Sequence, residues 1–255
     1  MNGVGYAIGC LLSIIQWKLE RRRLVALLDV FLHRTLKNFA IIEIIYGLIF
    51  CFVIYIFDII PKNEFINALT AFIIIDISNT ERRNLKINEK TYFYDTISSI
   101  SKYLIGGFVA PLFYVILFGN GVGICYMLLF NISSVNEYYV IKKLFNAASI
   151  IPSIIVQFFL YFVYLLRNKS IAINFRGDYL SNCIKRPLLN IDIFGAYIES
   201  VNFYYYFNNN GIHYVKSYGE YTNRIDIICI KDYLSITYGI AMIYFVIFFI
   251  FTRGI

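Results

Sequence analysis

Long apolar runs, separated by short charged or turn-forming stretches, dominate the chain. Val4–Ile15 is apolar but well short of the roughly 20 residues that a membrane helix needs. Trp17 follows, with Lys18, Arg21, Arg22 and Arg23 behind it, an interfacial aromatic backed by a basic cluster. Leu24–Leu36 is amphipathic, with Asp29, His33 and Arg34 on its polar side. This pattern predicts a helix lying on the cytoplasmic membrane surface, with His33 a wet interfacial residue rather than a ligand. Phe39–Ile60 is long enough to span, and Glu43 and Asp58 near its ends can snorkel to an interface. After the turn Pro61-Lys62-Asn63, the shorter run Phe65–Ser78, which contains Asp76, returns the chain.

Asn79–Asp95 is a first polar loop, carrying Arg82, Arg83, Lys86, Glu89 and Lys90. Lys102–Phe118, the centre of the pattern, is apolar almost throughout, with Gly106 and Gly107 at its start and Pro111 in its middle. Proline removes a helical hydrogen bond, which membrane helices tolerate when neighbours re-satisfy the freed backbone. The paired glycines allow close approach of another helix. A kinked helix buried among others is expected here. Gly119-Asn120-Gly121 interrupts the run before Val122–Ile132, compatible with a hairpin of two short helices or with one broken span. Ala147–Leu166 is a span with Pro152 near its start, and Tyr233–Phe251 is the last span. Between them, residues 170–232 form the largest polar region, with a strong turn signal at Asn208-Asn209-Asn210-Gly211. Tyr204-Tyr205-Tyr206 suits either a ligand surface or the headgroup level, the latter favoured.

The expected fold is an all-α polytopic integral membrane protein. It has about five to six membrane helices, an amphipathic surface helix and one embedded polar region, in a single domain over 1–255. Composition agrees: 59% of residues are hydrophobic and 19% aromatic, at a mean hydropathy of +0.65. The net charge of +7 fits Lys and Arg collected in loops against anionic lipid. No basic patch accompanies a nucleic-acid recognition fold, so nucleic acid is not an expected partner; the lipid bilayer is. Five scattered cysteines without a CxxC argue against a disulfide framework or a zinc site. The residues before Val4 lack the positive charge of a cleavable signal, so a multi-pass protein of the cell membrane is expected. If 103–132 crosses once, residues 170–232 are cytoplasmic; if it is a hairpin, they are outside, and Lys142 and Lys143 favour the hairpin.

No GxSxG, HExxH or Walker pattern is present. Gly107–Tyr114, Gly-Phe-Val-Ala-Pro-Leu-Phe-Tyr, resembles the signature of the CobD/CbiB family of cobalamin biosynthesis, the adenosylcobinamide-phosphate synthases. Counting back without gaps from Pro111 places the arginine of the family's Arg-Asp-Thr motif on Arg82. Ile151-Pro152 matches the family's Ile-Pro pair, and counting from Arg176 brings Gly195-Ala196 onto its Gly-Ala turn. Ile8-Gly9 and Leu19-Glu20-Arg21-Arg22 fit the amino-terminal pattern, and Gly211-Ile212-His213-Tyr214 loosely fits its Asn-Tyr-Tyr-x-Gly segment. Departures fall on polar positions. Lys102–Gly107 stands where the family has Glu-Asn-Leu-x-Asp-Gly, and Cys183, Ile184 and Lys185 stand at its Ser-Pro-Asn. Phe145, Asn146 and Ile154 replace aspartates and an arginine.

The resemblance implies amide ligation of aminopropanol, or its phosphate, to the corrinoid adenosylcobyric acid, with ATP and Mg²⁺. It implies catalytic roles for Arg82, Arg176 and Asp178, the two arginines clamping phosphate in a common pocket on one side of the membrane. Asp95, Asp178, Glu199 and Glu220 are the acids available to the metal. Two other readings stay open. One is a non-catalytic homologue that binds a corrinoid or a partner. The other is a small transporter component, which requires Glu43, Asp58 or Asp76 to face a water-filled path.

Overall fold

A computed structural model describes residues 3–36, 38–61, 63–78, 93–209, 212–219 and 225–254, the side chains of 93–95, 208–209, 212 and 254 aside. The helices are α1 (Val4–Ile15), α2 (Arg21–Thr35), α3 (Phe39–Ile59), α4 (Glu64–Ile74) and α5 (Phe93–Leu104). A π-helical stretch (Ile105–Val109) leads into α6 (Ala110–Phe118), followed by α7 (Asn120–Val135) and α8 (Tyr139–Asn168). Then come α9 (Tyr179–Lys185), α10 (Pro187–Ile198), a hairpin of β1 (Phe203–Asn209) and β2 (Ile212–Tyr218), and α11 (Ile227–Gly254).

Among the described residues, four segments are long and apolar enough to cross a membrane: Phe39–Ile59, Thr96–Phe118, Tyr139–Asn168 and Ile227–Arg253. The other apolar helices, α1, α4, α7 and α10, are shorter. Only Ile42 and Tyr46 of α3 are buried, although the helix is apolar on all sides. An exposed surface of that kind has hydrocarbon as its solvent. The chain is a helical membrane protein. Thr96–Phe118 is the opposite case, 72% buried against 11% for α3, as expected for the stretch the pattern centres on.

The chain forms two compact units. The first comprises Met1–Glu81, Tyr103–Ser149 and Ala241–Ile255. Here α1 and α4 run parallel, since Gly5 lies against Glu64, Gly9 against Ala68 and Ala71, and the Ser13 hydroxyl donates to the Ile75 carbonyl at 2.5 Å. Small residues four apart let the two backbones meet, the packing rule of membrane helices. At the carboxyl ends of this pair sits buried Arg21, which donates to Leu19 O (3.0 Å), Ser13 Oγ (2.7 Å) and Phe72 O (2.7 Å). A cation is stabilised there by the negative ends of both helix dipoles.

The two helical prolines of this pattern are answered one by one. Pro111 has no N–H to give the Gly107 carbonyl four residues back. The backbone turns π-helical at that point, and the Gly107 carbonyl accepts the Asp76 N–H at 2.9 Å. Pro152 likewise strips the Ala148 carbonyl of its helical donor, and the Tyr114 hydroxyl donates to that carbonyl at 2.7 Å. Both expected close approaches occur: Gly106 meets the Phe130 ring and Gly107 the Asp76 carbonyl. Gly119, at φ 88°, then reverses the chain, and Gly123 packs on Val115 and the Pro111 carbonyl. The 103–132 stretch is therefore a helical hairpin, one of the two arrangements its glycines allowed.

The polar side of α2 is only partly turned inward: Asp29 is buried and His33 half-buried, whereas Arg34 is exposed. Arg21, Val25, Asp29 and Leu32 are buried, while Leu24, Leu27 and Phe31 are exposed. The pattern marks which side is polar, not which side packs on the protein.

The second unit comprises Arg82–Lys102 and Ile150–Ile240. Within the stretch read as polar, 170–232, lies a buried core helix. All residues of α10 except Leu188 are buried. Phe194 packs on Tyr161 and Phe175, and Tyr197 on Tyr164. The run Pro187–Ile198 escapes notice because charged residues crowd both its ends. The hairpin pairs antiparallel from Phe203↔Tyr218 to Asn209↔Ile212; Asn210 and Gly211, the end of the turn signal, lie outside the described residues. Along β1, Tyr204 and Tyr206 are exposed and Phe203 and Phe207 buried, so strand alternation separates Tyr205 from its two neighbours.

Candidate functional site

The candidate site is the hairpin end of the second unit. Arg176 and Gly177 both adopt positive φ (53° and 77°), held by the Asn174 side chain accepting the Arg176 N–H at 2.9 Å. This tight turn delivers Asp178 to the start of α9. The Asp178 carboxylate does not cap that helix. It pairs with Lys216 on β2 and accepts from the Tyr218 hydroxyl at 2.8 Å. Lys216 also reaches the Arg176 carbonyl at 3.4 Å, so the ammonium joins turn to hairpin. Arg186, which precedes α10, lies over the Phe207 ring at 4.7 Å, and its charge acts on Asp178, Tyr205 and Tyr218. Partial burial raises the Asp178 pKa, but the bonds from Lys216 and Tyr218 outweigh it and hold the carboxyl below its ordinary range. Burial and the adjacent Asp178 charge push the Tyr218 phenol up, so it stays a donor. The result is a rim of two cations and a phenol around one carboxylate, able to receive an anionic group.

Of the residues singled out from the sequence, Arg176 and Asp178 come together here, and Arg82 lies outside the described residues. Arg176 is exposed and joins Lys216 through its backbone carbonyl. Among the acids considered for a metal, Glu220 and the Asp95 side chain lie outside the described residues. Glu199 is engaged elsewhere: Arg167 bridges it at 3.0 Å and also pairs with Asp232. Burial first, then the nearby Asp232 charge, pushes the Glu199 carboxyl up to about 7. Among the described residues no group of three His, Cys, Asp or Glu side chains stands close enough to hold a metal ion.

Sequence reasoning missed Lys216, Tyr218 and Arg186. Strand alternation around the Asn-Gly turn would have placed Lys216 and Tyr218 on opposite positions to Tyr205 and Phe203, but nothing local links them to Asp178.

Three buried carboxylates among the described residues lie apart from this site: Asp29, Asp192 and Asp76, the last with its Oδ2 also lacking a hydrogen-bond partner. In the first unit, Asp29 accepts from Tyr46 (2.8 Å), Tyr138 (2.5 Å) and Asn136, and His33 Nε2 stands 2.8 Å from the Tyr138 hydroxyl. In the second, Asp192 of α10 hydrogen-bonds with Ser101 and Ser98, while its Oδ1 is buried without a partner. Glu43 accepts the Val140 N–H at 2.9 Å, Asp58 is exposed, and Asp76 Oδ1 takes the Ser78 N–H and hydroxyl at 3.0 and 2.6 Å. No family model, curated protein or solved structure matches the chain.

Proposed function

We propose that this chain is a divergent CobD/CbiB-like protein of the cell membrane, multi-pass, acting in cobalamin biosynthesis. The reaction class is amide ligation of aminopropanol, or its phosphate, to the propionate carboxylate of adenosylcobyric acid. One observation supports it above others: the Arg176–Asp178 turn that the resemblance singles out folds against a hairpin carrying Lys216, with Arg186 beside it. These cations suit a carboxylate or phosphate, and the Tyr218 hydroxyl offers a further donor. ATP and Mg²⁺ follow from the resemblance alone. The described acids do not fit a Mg²⁺ donor set, since Asp178 is held by Lys216 and Tyr218 and Glu199 by Arg167. What the described residues offer is anion binding.

That engagement of the acids favours a second reading, a homologue that binds the corrinoid or a partner without ligating. The two readings part in one experiment. Membranes expressing the chain in a strain without its own synthase are assayed for ATP-dependent conversion of adenosylcobyric acid, and for its retention. Conversion that falls at least about tenfold in Lys216→Ala supports ligation. Retention without conversion, equally lost in Lys216→Ala, supports binding. A well-inserted protein that does neither overturns both.

A further inference from the structure

Asp192 sits on α10 within an enclosure of hydroxyl groups. Its carboxylate hydrogen-bonds with Ser101 and Ser98 of α5, and Ser101 Oγ lies 2.9 Å from the hydroxyl of Tyr233 on α11. Ser101 is fixed by a 3.0 Å bond to the Ile97 carbonyl, and the Tyr233 ring is fixed against Gly195, one turn beyond Asp192. Asp192 is 2% exposed, Ser101 and Tyr233 not at all. Asp192 Oδ1, in this enclosure, has no hydrogen-bond partner. Among the described residues no Lys or Arg is hydrogen-bonded to or ion-paired with it. A buried carboxylate oxygen that is left bare bears the full desolvation penalty of the group. Acids inside membrane proteins are retained chiefly where they carry or coordinate something.

We propose that Asp192, Ser98, Ser101 and Tyr233 form a sodium site in the second unit. Every donor is a hard oxygen, the preference of an alkali or alkaline-earth cation. A single carboxylate balances one positive charge, and among the described residues no group of three His, Cys, Asp or Glu side chains forms here, which disfavours a divalent ion. The bare Oδ1 supplies the coordinating lone pair that the serines do not use. Other ionisable groups whose charge is felt here are Tyr205 on β1 and Glu199 beyond the end of α10. Burial pushes the Asp192 carboxyl up to about 7, so a proton competes with the ion. The inference is independent of the amide-ligation reading.

The test is thermal unfolding of the purified full chain in lipid nanodiscs, in sodium chloride, potassium chloride and choline chloride at equal ionic strength. At about pH 8.5, sodium raises the melting temperature saturably and choline does not. Below the carboxyl's own pKa, the half-saturating sodium concentration climbs by about tenfold for each pH unit. Asp192→Asn abolishes the sodium effect, and Ser101→Ala weakens it by about tenfold or more without removing the charge. If Asp192→Asn does not fold, the wild-type ion series and Ser101→Ala carry the test. Equal melting in sodium and choline at both ends of the pH range overturns the proposal. It is equally overturned if Asp192 proves to hold a proton only, with a pH dependence that sodium does not move.

Discussion

Asp29 and Asp192 are both 2% exposed, yet their surroundings differ in kind. Both oxygens of Asp29 are occupied, Oδ1 by two tyrosine hydroxyls and Oδ2 by an asparagine amide. Asp192 has hydroxyl partners and one oxygen with none. A saturated carboxylate ties helices together: Asp29 of α2 joins Tyr46 of α3 and Tyr138 at the foot of α8. An unsaturated one has capacity left over. Burial alone therefore does not separate these two acids; the unfilled oxygen does, and Asp76 shares that feature at its Oδ2, with the Arg21 charge nearby.

The largest test of this contrast is a pair of substitutions. Asp29→Ala strands two buried tyrosine hydroxyls and a half-buried asparagine amide and is expected to lower stability by roughly 3–5 kcal/mol. Asp192→Asn keeps the shape and, below about pH 4 where the carboxyl is largely neutral in the folded and unfolded chain alike, is expected to change stability by less than about 1 kcal/mol. Reversible denaturation in mixed micelles measures both, and equal losses would erase the distinction.

The pH dependence sharpens it. The folded pKa of Asp192 is raised to about 7, above its ordinary 3.8, so the folded chain holds a proton that the unfolded chain releases. Its contribution to stability is largest below the ordinary value and declines as pH rises to about 7. Glu199, also raised to about 7, acts in the same direction. In sodium-free buffer, Asp192→Asn is expected to flatten the melting profile over that window and Glu199→Gln to flatten the remainder. A slope unchanged in both variants would place the titration elsewhere.

The smallest effect concerns the prolines. Tyr114→Phe leaves the Ala148 carbonyl without its donor and is expected to cost about 1 kcal/mol. Pro152→Ala restores a backbone N–H to that carbonyl, so Tyr114→Phe in the Pro152→Ala background should cost close to nothing. A double-mutant cycle reads the coupling directly, and additive losses would show that the hydroxyl has another task.

Much of the architecture was legible in apolar run length, because bilayer thickness converts length into spans. The breaks were legible as well: Gly119 and Pro111 each mark a backbone irregularity that the structure contains. What could not be read was which way a polar stripe turns. In α2 the spacing identifies Asp29 and His33 as one side, but that side faces the protein, where Tyr46, Asn136 and Tyr138 receive it. The second unit was hidden for a related reason, as charges at Arg186 and Glu199 bracket a core helix of twelve residues and disguise it as loop. The candidate site was legible only in its local part. The Arg176–Asp178 turn stands out, whereas Lys216 arrives from about 40 residues away through hairpin register.

The two proline repairs also differ in how they constrain inheritance. The Gly107 carbonyl is satisfied by a backbone amide, which every residue but proline supplies, so position 76 is free to vary as far as that bond is concerned. The Ala148 carbonyl depends on a side chain. A lineage that keeps Pro152 has to keep a hydrogen-bond donor at position 114, and one that loses the proline releases the tyrosine. Positions 114 and 152 should therefore change together among descendants of this chain, while 76 and 111 drift independently.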